Sequence, residues 1–106
     1  MRINVSVNAP VSDETRAYAE YRFFTAIAPH FARVRGIEVT VREDARANRR
    51  FLCTATVELG HAGEVKAQAR AAHPSAAIER AADRIAALIK RRLGDDFSMK
   101  VIAASP

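Results

Sequence analysis

The chain has 106 residues, 17 Lys and Arg against 12 Asp and Glu, one Cys and no Trp, with 49% hydrophobic residues. That is room for one modest core, and it excludes a cofactor domain joined to a substrate domain or a deep enclosed active site. The formal charge of +5 rests on 14 Arg and only 3 Lys; the planar guanidinium fork makes polyanions such as RNA candidate partners, although a high-GC genome gives the same composition.

Ile3, Val5 and Val7 alternate with Arg2, Asn4, Ser6 and Asn8, the period of a strand with one buried face. Ser12, followed by Asp13 and Glu14, starts a helix over about Asp13 to Ala28, because its hydroxyl can accept from free amides and the acids sit at the positive dipole end. Pro29 kinks or closes that helix, and Gly36 marks the next boundary. Three further strands follow. Ile37, Val39 and Val41 form the apolar side of one; Phe51, Cys53, Ala55, Val57 and Leu59 that of the next; Val65, Ala67, Ala69 and Ala71 that of the last. Gly60-His61-Ala62-Gly63 is short enough for a hairpin, whereas Asp44 to Arg50 is a longer basic connection. His73-Pro74 opens a second helix, with Ile78, Ala82, Ile85, Ile89 and Leu93 on one stripe and Gly94 as its expected stop. Residues 94–106 form a tail, in which Phe97 to Val101 could make a short strand or dock elsewhere.

The order β-α-β-β-β-α gives a two-layer α+β domain. Its sheet is four-stranded and mostly antiparallel, with strands one and two parallel and both helices on one face. The first helix is apolar on two sides. One stripe is Ala17, Tyr21, Phe24, Ala28 and Phe31, and the other is Thr15, Ala19, Phe23 and Ile27. Whichever turns away from the sheet leaves apolar groups to stack on bases, pack on a partner or rim the core.

At about 100° per residue, Arg80, Arg84 and Arg91 fall opposite the stripe of Ile78, Ile85 and Ile89, flanked by Lys90 and Arg92. Such a row can meet successive phosphates of folded RNA with a salt-dependent, sequence-tolerant affinity, or it is plain solvation diluted by Glu79 and Asp83. Arg46, Arg49 and Arg50 form a second basic cluster. Catalytic and metal readings are weak. Cys53 lies at an inward strand position, and His30, His61 and His73 have no ligand spacing. The sequence has no phosphate-binding glycine loop and no nucleophile elbow. We expect no catalytic residue, cofactor, metal or small-molecule substrate. One Cys cannot form an internal disulfide, and no apolar run approaches the ~18 residues of a membrane span. The alternating start is unlike a secretory signal, so the expectation is a cytoplasmic protein without membrane contact.

Ala76-Ala77-Ile78-Glu79-Arg80-Ala81-Ala82-Asp83-Arg84-Ile85, Arg16-Ala17-Tyr18, the run from Arg33-Val34 into Ile37-Glu38-Val39, and Cys53 in the third strand together resemble the ribosome hibernation-promoting factor family. The family is also called ribosome-associated inhibitor A or sigma-54 modulation proteins. The likeness covers residues 1–93, with the 94–106 tail outside it, and is to the short form without a carboxy-terminal dimerisation domain. It implies a fold similar to double-stranded-RNA-binding domains. It further implies binding to the small ribosomal subunit and its rRNA in the mRNA and tRNA channel, and arrest of translation in stress or stasis. The site residues it implies are Arg22, Arg80, Arg84, Lys90, Arg91 and Arg92, to which the basic connection adds Arg49 and Arg50. It also places Phe23 and Ile27 inward. The rival readings are a protein-interaction module of the same fold, suggested by Tyr21 and Phe24, and a thiol enzyme using Cys53. A homo-oligomer is compatible with the sequence but not predicted from it.

Overall fold

The structure, a computed structural model, describes residues 2–7, 12–44 and 50–104, of which 7 and 95–104 are described by their backbone alone. Strand β1 is Arg2–Val7, helix α1 Asp13–Ile27, β2 Gly36–Asp44, β3 Arg50–Glu58, β4 Glu64–Ala71 and helix α2 Pro74–Ala104. The sheet order is β1-β2-β3-β4, with β1 parallel to β2 and the other pairs antiparallel. This is the expected α+β domain.

Local chemistry explains the element ends. Ser12 Oγ accepts from the Thr15 amide at 3.2 Å, satisfying one free donor at the start of α1. Pro29 ends α1 by forcing the chain into a 3-10 turn over Ala28–Arg33. A second 3-10 turn, Gly60–Ala62, joins β3 to β4, and Gly60 and Gly63 there take φ of 61° and 87°, which side chains disfavour.

The inner sheet face carries Ile37, Val39 and Val41, then Cys53, Ala55 and Val57, then Val65, Ala67 and Ala69, all buried. Against it pack Ala19, Phe23 and Ile27 of α1 and Ala77, Ile78, Ala81, Ala82, Ile85, Ile89 and Leu93 of α2. Facing alanines on β4 and α2 let that helix sit close to the sheet, while the larger Phe23 fills the space under α1. Each large side chain buried there contributes roughly 1.5–3 kcal/mol. The inward stripe of α1 is therefore the Phe23 and Ile27 one, and Tyr21, Phe24 and Phe31 stay exposed.

Two expectations need correction. Gly94 does not stop α2, which continues to Ala104, so the chain after Leu93 is helical and Phe97 to Val101 is not a strand. Gly94 is not among the positive-φ glycines, and no proline follows until Pro106. An isolated helical Gly costs only about 1 kcal/mol relative to Ala. Alternation also fails at Leu52, which is on the outer face yet only 3% exposed, with Arg42 and Arg70 on either side of it in register. Long aliphatic stems of arginine can cover an apolar residue in that way.

Candidate nucleic-acid interface

α2 carries the basic residues on its outer side, but the structure does more with them than present them to water. Arg80 Nη1 donates to the Arg70 carbonyl at 3.1 Å, and Arg84 Nη1 donates to the Gln68 carbonyl. Both acceptors lie on β4, the last strand of the sheet. Backbone groups alternate in direction along a strand, so Gln68 and Arg70 turn theirs to the open side. The two arginines thus guard an edge that would otherwise offer free carbonyls. Their remaining N–H groups stay available to an anion, and a bond to a carbonyl leaves the positive charge intact.

Further along α2, Arg92 Nη1 donates to the Ala62 carbonyl at 3.0 Å. A Cβ on Gly63 would come within 3.2 Å of that nitrogen, so the glycine at this turn serves both the backbone and the arginine. Lys90 and Arg91 are exposed, and their side chains bond to no residue whose side chain is described. Arg80 and Arg91 are separated by about 16 Å along the helix axis. None of Arg80, Arg84, Lys90, Arg91 and Arg92 is paired with a carboxylate among the residues whose side chains are described.

The other expected site residues are placed differently. Arg22 is half-buried and sits 3.1 Å from Asp83 Oδ1, tying α1 to α2, so its charge is largely neutralised. Arg50 is exposed at the start of β3. Arg49 lies outside the described residues, as does most of the connection around it. The exposed side of α1 adds no basic field, because Asp13, Glu14 and Glu20 accompany Tyr21 and Phe24 there. The basic surface runs along α2 and over the β4 edge, not across both helices.

Arg70 is the residue that sequence reasoning passed over. It forms an ion pair with Asp44, and with Leu52, Gln68, Ala69 and Arg84 it lines a shallow groove of about 340 Å³ at the guarded edge. On sequence it is one more polar residue of an alternating strand. Only knowing that β4 is an edge strand next to α2 would have singled it out.

The thiol reading finds no support in the geometry. Cys53 is fully buried on the inner face, and burial pushes its thiol up to about 12 from 9.0. The native protein at pH 8 should react with a thiol reagent only as it unfolds, which labelling with and without denaturant checks. The folded state keeps this proton where the unfolded chain releases it. Stability should therefore be independent of Cys53 below pH 9 and fall as pH rises from 9 toward 12, and Cys53→Ala should remove that part of the alkaline loss. Among the described residues no group of three or more His, Cys, Asp or Glu is arranged to hold a metal. No helix of the described residues is long and apolar enough to cross a membrane.

Residues 3–94 match the family described as sigma 54 modulation protein / S30EA ribosomal protein. The chain belongs to that family. The sigma 54 modulation / S30EA family is one of ribosome-associated factors and not a known enzyme family. Two solved structures share the fold. A ribosomal subunit interface protein from Coxiella burnetii superposes with a TM-score of 0.76 at 15% identity, covering 89% of this chain and 99% of that one. The N-terminal domain of Thermus thermophilus Protein Y gives 0.69 at 22% identity, covering 86% and 98%. A search of the curated proteins finds no match.

Proposed function

We propose that this protein binds rRNA of the small ribosomal subunit within the channel used by mRNA and tRNA and, from there, silences cytoplasmic translation in stress or stasis. The mechanism is steric exclusion, with no chemical step. The observation that carries this reading is the row Arg80, Arg84, Lys90, Arg91 and Arg92 on one helix, unneutralised by any carboxylate whose side chain is described, in a member of a ribosome-associated family. Arg50 extends the same field to the start of β3, whereas Arg70, paired with Asp44, shapes the groove at the β4 edge without adding a free charge. Arg22 contributes by holding α1 against α2 through Asp83 rather than by meeting phosphate.

Guanidinium contacts to a phosphate backbone release counterions, so affinity falls steeply with salt. Purified small subunits should carry the protein through a sucrose cushion at low salt and lose it at high salt. Absence of co-sedimentation at both would overturn the reading. The rival, an interaction module of the same fold without ribosome binding, is favoured by the exposed Tyr21 and Phe24, and would appear as recovery of a protein partner with no ribosomal RNA.

A further inference from the structure

The two edges of the sheet are treated differently. β4 is guarded by Arg80 and Arg84, whose side chains occupy the carbonyls of Arg70 and Gln68. β1 is the other terminal strand, and no strand of the described residues lies beyond it. The Arg2 amide donates to the Arg35 carbonyl, so Arg2, Asn4 and Ser6 turn their backbone groups to β2, and Ile3 and Val5 turn theirs to the open side. Ile3 and Val5 carry no inward charge and no proline interrupts them; the strand's one charged residue, Arg2, stands at its start with its backbone turned to β2.

The same side of the molecule carries its exposed apolar groups. Ile3 is 41% exposed, Tyr21 66% and Phe24 47%. Ile3 of β1 and Ala17, Glu20, Tyr21 and Phe24 of α1 line one open groove of about 550 Å³. The free backbone row and the aromatic stripe are therefore parts of one surface, and an occupant has to supply both a strand edge and apolar side chains.

We propose that this surface pairs with a second copy of the chain across a two-fold axis. β1 would lie antiparallel to its twin, making one eight-stranded sheet, and the two α1 stripes would meet above the join. A symmetric contact satisfies both halves of the surface at once, because the strand that fills the open edge brings its own Ile3, Tyr21 and Phe24 with it. The guarded edge at β4 prevents the sheet from growing further, so the assembly closes at two. A six-residue strand and a few side chains are small against the ~800 Å² per partner of a standard interface, so the pairing is weak and depends on concentration. The contact lies at the opposite edge from α2 and leaves the arginine row uncovered.

Sedimentation equilibrium should show the 11.6 kDa chain passing to twice that mass as its concentration rises to about 200 µM. Amide exchange at Ile3 and Val5 should slow by about tenfold over the same range. Two variants at exposed positions, Ile3→Lys and the pair Tyr21→Glu with Phe24→Glu, should stay monomeric with unchanged circular dichroism. Each copy carries +5, so added salt should strengthen this pairing while weakening RNA binding, which separates the two proposals. A wild-type monomer throughout, a dimer that survives in either variant, or a dimer without protection at Ile3 and Val5 would overturn it.

Discussion

Replacing Arg80, Arg84 and Arg91 together by Glu is expected to weaken association with small ribosomal subunits by about a hundredfold or more at moderate salt. It should also flatten the slope of log affinity against log salt by about 2 to 3, since each neutralised phosphate contributes ~0.7–0.9. The three positions are not equivalent in the fold. Arg80 and Arg84 donate to carbonyls of β4, so a carboxylate there would face an acceptor as well as lose a cation. The side chains of Lys90 and Arg91 bond to no residue whose side chain is described, so Lys90→Glu with Arg91→Glu tests charge alone. That pair should lower the salt slope by about 2 with no change in the urea midpoint. Unchanged co-sedimentation of the triple and the double variant would show that α2 does not face the RNA.

The largest effect on stability is expected at Phe23. It is fully buried under α1, at the centre of the contact with the sheet, and Phe23→Ala should cost about 3–5 kcal/mol through lost burial and the cavity left behind. A small domain has only about 5–15 kcal/mol in total, so urea unfolding should begin at much lower concentration. The neighbouring Phe24 is 47% exposed and turned to the open groove. Phe24 meets Phe31 edge-on with ring centres 6.2 Å apart, so Phe24→Ala should cost about 0.5–1.5 kcal/mol, well below the loss at Phe23. Equal losses at the two positions would mean that α1 is rotated from the orientation described.

The contrast between these adjacent phenylalanines marks where sequence reading stops. The strands were legible because alternation is a local property: each apolar row from Ile37 to Ala71 lands on the inner face as its spacing demands. The Ser12 cap and the Pro74 start of α2 were legible for the same reason, since their partners are within one turn. Periodicity left both stripes of α1 open, and the family resemblance, not the pattern, pointed to Phe23 and Ile27. Gly94 misled because a helix stop read from one residue ignores the neighbours on both sides that keep the helix going.

The basic surface divides the same way. Composition and helical spacing determined that arginines would gather on one side of α2, because that follows from the chain and the pitch of a helix alone. Which of them are held by carbonyls, that Arg22 is neutralised by Asp83 61 positions away, and that Arg70 joins the groove were decided only by the tertiary structure. Those contacts depend on which strand ends the sheet and which helix lies over it. Strand order is set by the packing of the whole core, which no single segment encodes.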